Sequence, residues 1–551
     1  MELWAYPYLF WYVSLFAFWM LGAHRQILFW LYLWQLKEYH WGRFWAHFQT
    51  AQGKSLFLNP LFLAKVASLV LGIVYFVKTG KILLPLAIIF ALFLTQALWL
   101  LWSIVRKNLL HPTVTKKSLM VLAAAHFAVF AAGFAVFSSF LGEMNLREFT
   151  LAAFALLAID IFLPAIVGLV VLALQPLTIW EKNKILARAA AIINDRQNLT
   201  TIAIAGSYGK TATKELLAHI LAKKFKVLKT QANQNTEIGV AQTIINDLKP
   251  EHQIFVCEIG AVHLGRIKQV VKIVKPKIGI LTGINQQHLG VFGSQQNIID
   301  GKFEIMEVLP ENGTAILNWN SPLLAQNFEA QKKRIEAKDI VMAGKDIKAE
   351  NEKATIDRLL LTIDHRNEKI QLDTNARGAF MVEPILLAAA GALAAGMELA
   401  EIADVLNKTD FTPFNLKKIS GSQTSTNLNV LDSTYSANPD GVIGHLDYLK
   451  LWPGKKAIIM PCLIELGKSS KEVHRQIGQK IAHVCDFAII TTEDYFVDLK
   501  NAAIAAGMNP ENIILSSKPT TINDLMKNRL AGGDTVLLEG RLSKEITNCL
   551  K

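Results

Sequence analysis

The sequence predicts a multi-domain protein with an α-helical transmembrane bundle followed by two α/β domains. Three observations predict this fold class. The first 180 residues are mostly apolar, residues 201–221 read as a strand, a glycine loop and a helix, and an alternating strand–helix pattern restarts near Phe411. The predicted domain boundaries are therefore 1–180, 181–410 and 411–551.

Five apolar runs in the first third are long enough, or nearly so, to cross a bilayer. They cover residues 6–23, 61–77, 82–104, 119–141 and 149–174. The first run has no basic region before it and no small-residue cleavage site after it, which argues against a cleavable signal. The run Gln26–Leu36 is too short to span and is followed by basic residues, so it predicts a separate interfacial or re-entrant helix.

The basic residues that flank these runs predict the orientation. They concentrate in the loop 106–117 and after the first run, whereas the loop 143–148 carries only Arg147. This predicts an N-terminus outside and catalytic domains on the cytoplasmic face of a multi-pass protein in the cytoplasmic membrane. Lys78 and Lys81 count mildly against it.

Polar residues inside the apolar runs raise a further hypothesis. Asp160 lies within the fifth run, and His24 and Arg25 follow the first. An ionisable side chain at membrane depth should face the bundle interior or a polar cavity. These residues either contact a lipid-linked headgroup or form structural pairs within the bundle.

Composition excludes some classes of protein. The formal net charge is +12, but the lysines are scattered rather than clustered, which argues against nucleic-acid binding. The four cysteines stand far apart without metal-site spacing, as is typical of a reduced, cytosol-facing enzyme.

The loop Gly206-Ser207-Tyr208-Gly209-Lys210-Thr211 predicts a nucleotide-binding P-loop. Its glycines let backbone N–H groups point inward, and the following helix adds positive potential where polyphosphate would lie. Lys210 would reach a terminal phosphate and Thr211 would offer a hydroxyl to Mg²⁺. Ile204 stands where the full pattern has its first glycine, so an ordinary glycine turn is the alternative.

Three polar clusters follow at predicted strand ends or loops. They are residues 232–240, residues 254–263 with Glu258 and His263, and residues 283–305 with His288 and Lys302. Alternating strands and helices predict a mostly parallel sheet with ligands at the carboxyl ends of its strands. A carboxylate, a histidine and the P-loop threonine converging there would hold Mg²⁺.

Taken in order, these motifs resemble the Mur ligases of peptidoglycan synthesis, and within them the branch that adds D-alanyl-D-alanine to a UDP-linked muramoyl tripeptide. The resemblance covers roughly residues 198–551. Its motifs are GSYGKT at 206, ANQNTEIGV at 232, EIGA at 258, NQQHLGVFGS at 285, GKFEI at 301, DSTYSANPD at 432 and IELG at 464.

The resemblance implies roles for individual residues. Lys210 and Thr211 would contact ATP phosphates and magnesium, Glu258 and His288 would hold the metals, and Lys302 would be carbamylated to complete a second magnesium site. Together Lys210, Glu258, His288 and Lys302 would form the catalytic set. Asn318 matches an adenine-contacting asparagine, and Asp432 matches an aspartate near the ribose.

The second α/β domain, expected to have a Rossmann-like sheet, supplies most of the implied substrate contacts. The candidates across both domains are Asn235, His263, Tyr435, Asn438, Glu465 and His474. Taken alone, Asn438-Pro439-Asp440-Gly441 also fits an ordinary turn.

Several positions depart from the family pattern. Thr236, Arg266 and Ser433 replace an asparagine and two acids. The helix that usually opens with an arginine-histidine-asparagine motif reads GAFMVEP from Gly378, and a lysine-glycine-serine-arginine pattern becomes Glu539-Gly-Arg-Leu542. Soluble members carry a domain that grips the UDP-sugar where this chain has its apolar third, so the carboxylate substrate is expected to be lipid-linked or delivered at the membrane.

The implied reaction is ATP-dependent formation of an amide through an acyl phosphate. The expected partners are a peptidoglycan-precursor stem peptide, UDP- or lipid-linked, and an amine such as D-alanyl-D-alanine. One alternative is a related ligase that amidates or extends another peptide, although the four-cysteine zinc ribbon common in amidating relatives is absent. A second is a membrane scaffold that binds nucleotide without catalysis. The sequence leaves the oligomeric state open.

Overall fold

A computed structural model describes residues 9–48, 50–139, 146–231, 234–261, 263–337, 339–414, 416–419, 427–434 and 437–550. The chain divides into two compact units, Met1–Glu181 and Lys182–Lys551. The division falls inside one helix, Gln175–Asn194.

The first unit is helical and encloses an apolar core rich in aromatic side chains. Its helices are α1 (Leu9–Leu36), α2 (Trp41–His47), α3 (Ala51–Ser55), α4 (Pro60–Thr79), α5 (Leu83–Val105), α6 (Lys116–Ser139), α7 (Leu146–Ala173) and the start of α8 (Gln175–Asn194).

Four helical segments of the described chain are long and apolar enough to cross a membrane: Gly53–Thr79, Leu83–Val105, Lys116–Ser139 and Leu146–Ala173. They correspond to four of the five predicted runs. The prediction of a separate helix at residues 26–36 is wrong, because α1 continues without a break to Leu36. Gly22 alone does not end it, since a helix interior tolerates a single glycine at a cost of about 1 kcal/mol.

Asp160, at the middle of α7, is paired inside the bundle. Its carboxylate lies 2.7 Å from Lys65 Nζ and accepts hydrogen bonds from Gln26 Nε2 at 2.7 Å and Gln96 Nε2 at 3.3 Å. A buried charge with several partners avoids the cost of bare burial in an apolar surrounding. For Asp160 the geometry therefore favours the structural alternative over a headgroup contact.

His24 and Arg25 have different partners from Asp160. His24 Nδ1 lies 2.8 Å from His126 Nε2, and the Arg25 guanidinium lies 4.0 Å from the centre of the Trp99 ring.

The second unit contains two sheets. Strands of the first are β1 (Thr200–Ala205), β2 (Val227–Lys229), β3 (Ile254–Glu258), β4 (Ile278–Leu281), β5 (Thr314–Asn318), β6 (Asp339–Ala343), β7 (Ile347–Ala354), β8 (Leu359–His365) and β9 (Glu368–Thr374). Its helices are α9 (Lys210–Leu221), α10 (Glu237–Asp247), α11 (Arg266–Val274), α12 (Leu289–Phe292), α13 (Gln295–Phe303), α14 (Pro322–Lys332), α15 (Val382–Ala394) and α16 (Leu399–Lys408).

The first sheet has the order β2-β3-β1-β4-β5-β6-β7-β8-β9. The strands from β2 to β6 are parallel, as predicted, and apolar cores cover both faces. Strands β7, β8 and β9 form an antiparallel edge that sequence analysis did not predict. The two residues between β8 and β9, Arg366 and Asn367, both have positive φ, the conformation that a tight hairpin requires.

The second sheet is smaller and also mostly parallel, in the order β10-β11-β15-β12-β13-β14. Its strands are β10 (Lys417–Ile419), β11 (Asn429–Ser433), β12 (Lys456–Met460), β13 (Phe487–Ile490), β14 (Ile513–Leu515) and β15 (Thr535–Glu539). Its helices are α17 (Pro439–Lys450), α18 (Ser470–Val484), α19 (Phe496–Ala505), α20 (Pro519–Arg529) and α21 (Lys544–Leu550). Apolar clusters again cover both faces.

Candidate functional site

The predicted P-loop joins β1 to α9, so the strand, loop and helix occur in the expected order. Gly206 has φ of 153°, and a Cβ there would lie 2.1 Å from Thr282 Oγ1, so only glycine fits. Gly209, with φ of 73°, precedes the first residue of α9. Lys210 Nζ donates to Gly206 O at 2.9 Å and Ser207 O at 3.4 Å. The lysine thus lies over the loop in which phosphate oxygens would bind.

The other loop residues are tied to the end of β4. Ser207 N donates to Gly283 O at 2.8 Å, and Asn285 N donates to Ser207 Oγ at 3.2 Å. Thr282 Oγ1 donates to Tyr208 O. A Cβ on Gly283 would lie 2.4 Å from Tyr208 Cζ, so the tyrosine ring packs directly on this backbone. These contacts hold the P-loop against the carboxyl ends of β1 and β4.

Glu258 ends β3, the neighbour of β1, and its carboxylate faces the P-loop helix. Thr211 Oγ1 donates to Glu258 Oε2 at 3.0 Å, and Asn235 Nδ2 donates to Glu258 Oε1 at 2.9 Å. Lys214 Nζ, fully buried, lies 3.7 Å from the same carboxylate and donates to Thr230 O at 2.8 Å. The predicted threonine, asparagine and glutamate therefore come together.

His288 and Lys302 lie near Lys210. Burial lowers the pKa of His288, Glu465 opposes this shift, and the positive charges of Lys302 and Lys210 add to it. Burial and then the charge of Lys210 lower the pKa of Lys302 to about 7. Lys302 Nζ donates to Ala261 O at 3.3 Å and is 2% exposed as a residue. Burial and the neighbouring positive charge therefore favour the neutral form of this amine.

His288 also joins the two sheets. Its Nδ1 lies 2.6 Å from Glu465 Oε2, and Gly290 N donates to Glu465 O at 2.9 Å. Both His288 and Glu465 adopt positive φ, of 66° and 65°. Glu465 follows β12, so the second sheet contributes a carboxylate beside the predicted metal ligand of the first.

The oxygen atoms in this cluster suit Mg²⁺. Thr211 Oγ1 and Glu258 Oε2 are close enough for one hard cation to contact both, and Mg²⁺ keeps waters and phosphate oxygens for its remaining positions. Within the described residues, no three side chains of the types His, Cys, Asp and Glu converge as a closed metal cage. The donors present fit Mg²⁺ bound together with a polyphosphate.

Comparison with known proteins agrees with this geometry. The model of the Mur ligase middle domain matches residues 204–392, and that of the Mur ligase glutamate ligase domain matches residues 420–542. The UDP-N-acetylmuramoyl-tripeptide--D-alanyl-D-alanine ligase of Haemophilus influenzae is 30% identical over 315 residues, which are 56% of this chain and 67% of that protein. The enzyme of the same name from Synechocystis is 29% identical over 64% of this chain and 73% of its own length.

The chain belongs to the Mur ligase family. It is an ATP-dependent ligase that forms C–N bonds, as the resemblance implied. Among solved structures, MurF from Acinetobacter baumannii has a TM-score of 0.58 and 25% identity over 67% of this chain and 79% of its own. MurF ligase from Thermotoga maritima in complex with ADP has the same fold, with a TM-score of 0.55 and 23% identity over 67% of this chain and 83% of that one.

The remaining predicted residues of this Mur ligase lie in several settings. Asn318 ends β5 and is buried, and Asp432 Oδ1 accepts from Thr434 N and Oγ1 at 3.0 and 2.7 Å. Asn438 caps α17 by accepting from Gly441 N at 3.1 Å, so the Asn438–Gly441 segment starts a helix and is not a plain turn. His263 Nδ1 lies 2.8 Å from Leu264 O. Tyr435 lies outside the described residues.

His474 lies in the interior instead of at the cluster. Its Nδ1 donates to Ser470 O at 2.6 Å, its Nε2 accepts from Leu463 N at 2.9 Å, and the residue is fully buried. The ring of Tyr495 stacks on it with centres 5.0 Å apart. Both nitrogens are used by backbone groups, so His474 holds the 461–466 loop that carries Glu465.

This setting makes the stability of the second sheet sensitive to acid. Burial lowers the folded-state pKa of His474 below 6.5. Between the two pKa values the unfolded chain binds more protons than the folded chain. The stabilisation that neutral His474 contributes is therefore complete above pH 6.5 and is lost as the pH falls through the folded pKa. We expect His474→Phe to destabilise α18 by about 2 kcal/mol, because Leu463 N–H and Ser470 C=O lose their partners, and to flatten the acid dependence.

Hydrogen exchange of α18 in the full-length protein between pH 5 and 8 measures both effects. His483→Gln, at an exposed histidine of the same helix, is the control. An unchanged acid dependence in His474→Phe would contradict the assignment.

The departures from the family pattern have new partners. Arg266 Nε lies 2.7 Å from Glu237 Oε2, so the basic residue at position 266 forms an ion pair within the fold. Glu539 is fully buried and its carboxylate binds His445 Nδ1 at 2.7 Å and Ser433 Oγ at 3.3 Å. Ser433 and Glu539 are paired across β11 and β15, so a buried acid stands on the strand next to Ser433.

Sequence reasoning missed Lys214, Glu383 and Asp440. Lys214 lies one helical turn after Lys210, a spacing that could have indicated a shared face. Asp440 Oδ2 accepts from Asn285 Nδ2 at 2.5 Å, and Glu383 Oε2 accepts from Asn318 Nδ2 at 2.8 Å. Glu383 lies in the segment from Gly378 onward that differs from the family motif, and this difference could have indicated it. Gln286 and Asp440 also line a cavity of about 460 Å³ between the helices of the second sheet and residues 379–380.

Proposed function

We propose that this Mur ligase joins the amine of D-alanyl-D-alanine to the terminal carboxylate of a muramoyl stem peptide and works at a membrane. The convergence of Lys210, Glu258, His288 and Lys302 at the carboxyl edge of the first sheet carries the proposal. The relatives of 29 and 30% identity bear the name of a D-alanyl-D-alanine ligase, which supports the choice of substrates.

Each member of the cluster has a proposed task. Residues 206–211 bind the ATP phosphates, with Lys210 drawing charge from the transferred group. Thr211, Glu258 and His288 hold Mg²⁺, which supplies further charge neutralisation when bound, and carbamylated Lys302 adds an anionic oxygen donor. Asn318 and Asp432 are assigned to the nucleoside in this proposal.

The reaction proceeds through an acyl phosphate. The substrate carboxylate attacks the γ-phosphorus of ATP and ADP leaves; the amine then attacks the acyl carbon and phosphate leaves, giving an amide. The protein needs no nucleophile of its own for either step. Asn235, His263, Tyr435, Asn438 and Glu465 are the proposed substrate contacts, whereas His474 positions the loop of Glu465.

The first unit serves as a membrane anchor in this proposal. The division into 1–180, 181–410 and 411–551 then assigns anchor, nucleotide-binding and Rossmann-like domains. Four apolar helices support multi-pass insertion, with the ligase domains in the cytoplasm. Both family models begin after residue 200, so the first unit lies outside them. This specific observation favours a lipid-linked carboxylate substrate as the second candidate.

One experiment tests the substrates. Detergent-solubilised protein is incubated with ATP, Mg²⁺ and either UDP-linked or lipid-linked stem peptide, each with D-alanyl-D-alanine or ammonia, and phosphate release is measured. We expect release to require D-alanyl-D-alanine. Release with ammonia alone would identify an amidating ligase, and no release with any pair would favour a nucleotide-binding scaffold. Full turnover of the UDP-linked substrate by residues 181–551 would remove the need for lipid linkage.

A further inference from the structure

The side of the sheet on which the nucleotide base would lie follows from the positions of the phosphate-binding groups. Thr211 and Glu258 mark the terminal phosphate end, toward β3. The sheet order places β4 and β5 on the opposite side of β1. Adjacent strands lie about 4.8 Å apart, so β5 ends roughly 10 Å from the P-loop strand, the span of a ribose and base. Asn318 is the last residue of β5.

Both N–H donors of the Asn318 side chain already have partners. Its Nδ2 donates to Thr282 O at 2.8 Å and to Glu383 Oε2 at 2.8 Å, and its Oδ1 accepts from Asn320 N at 3.1 Å. A side-chain amide has two N–H donors and a carbonyl oxygen with two lone pairs, so Asn318 keeps one acceptor site but has no donor left. In this arrangement Asn318 holds the Glu383 carboxylate in place.

Glu383 itself has acceptor capacity left. A carboxylate offers about four lone-pair sites, and Asn318 uses one of them. Across the described parts of the chain, no lysine, arginine or histidine is among the groups that act on the Glu383 carboxyl. Burial raises the pKa of its carboxyl, the Asn318 hydrogen bond opposes this, and the charges of Asp440 and Glu352 add to it. The carboxylate is thus half-buried without a cation, and a neutral N–H donor suits it.

Tyr208 and Asp440 both lie close enough to Glu383 to interact with it electrostatically. Burial and the charges of Glu383 and Asp440 raise the pKa of Tyr208, and the neighbouring Ser321 hydroxyl opposes this shift. Tyr208 belongs to the P-loop and its ring packs on Gly283, so the interaction between Tyr208 and Glu383 places this carboxylate beside the P-loop.

We propose that Glu383 selects the nucleotide base by accepting a hydrogen bond from the exocyclic amine of adenine. Adenine presents an N–H donor at the position where guanine presents a carbonyl oxygen. A carboxylate accepts from the first and repels the second. This inference rests on the proposed nucleotide site and adds a specificity-determining residue to it.

A purely structural role for Glu383 gives a different expectation. Gln at this position retains an acceptor for Asn318 and the side-chain length, but it adds an N–H donor that can pair with a carbonyl. Glu383→Gln should therefore weaken ATP binding and strengthen GTP binding. A role limited to holding Asn318 would leave the ratio of the two affinities unchanged.

The test measures displacement of a fluorescent ATP analogue from the full-length protein in detergent by ATP, GTP and purine riboside triphosphate, which lacks the exocyclic amine. We expect the wild type to bind the purine riboside nucleotide about tenfold more weakly than ATP, and Glu383→Gln to lower the ATP-to-GTP preference at least tenfold. Exposed Glu368→Gln is the matched control.

The outcomes separate the two proposals. An unchanged ATP-to-GTP preference in Glu383→Gln, with binding lost in Lys210→Ala, overturns the role of Glu383 and leaves the site intact. Full binding of the ATP analogue by Lys210→Ala overturns the proposed nucleotide site on which the role of Glu383 depends. Equal binding of ATP and purine riboside triphosphate by the wild type overturns the inference even if the variant does not fold.

Discussion

Lys210→Ala is expected to abolish ATP-dependent ligation, with a loss of at least 100-fold in phosphate release. The ammonium lies over the loop carbonyls of Gly206 and Ser207, where a polyphosphate would draw it into charge-assisted hydrogen bonds. Removal of one preorganised charge donor commonly costs about 10²–10³ in rate. Alanine keeps the start of α9 helical, so the loss would be chemical and not a failure to fold.

The matched control is Lys223→Ala, at an exposed lysine just after the same helix. It should leave phosphate release unchanged. Substantial activity in Lys210→Ala would show that the P-loop is not the phosphate-binding site and would overturn the assignment of the catalytic cluster.

Lys302→Ala is expected to remove activity to a similar degree, and a small carboxylate such as formate or acetate should restore part of it. The side chain is almost fully buried, so alanine leaves a cavity beside His288 and Lys210 that a small anion can enter. The proposed carbamate would contribute an anionic oxygen at this point, and an added carboxylate would replace it.

The wild type should also depend on pH and bicarbonate. With the pKa of Lys302 at about 7, the amine is mostly protonated below that pH and cannot add to CO₂. Activity should therefore fall as the pH drops below 7, and added bicarbonate should raise it in CO₂-depleted buffer. Exposed Lys333→Ala is the control. Lys302→Ala with full activity would exclude a role for the carbamate.

The features predicted well from sequence are those set by local residues. The P-loop was predictable because a strand, two glycines and a helix lie within about twenty residues, and β1 and α9 follow that order. Four apolar helices followed from the length and the apolar composition of their runs. The break expected after the first run did not occur, since no proline interrupts α1 and its hydrogen bonds continue past Gly22.

The features that sequence did not predict depend on distant pairings. His288 and Glu465 are 177 residues apart and meet only because two sheets approach each other. The antiparallel edge of β7 to β9 lacks the crossover helices that made the parallel strands recognisable. His474 has the residue type of a ligand contact, but both of its nitrogens serve the backbone, which only burial and partners reveal.

The pair of Lys65 and Asp160 has a consequence for biogenesis. Under the proposed membrane placement, α4 leaves the ribosome well before α7. Lys65 therefore lacks its counter-ion Asp160 until α7 has been synthesised. A bare charge at mid-bilayer is costly. Stable integration of α4 therefore has to await α7, and chains truncated before Asp160 should be retained poorly by the bilayer.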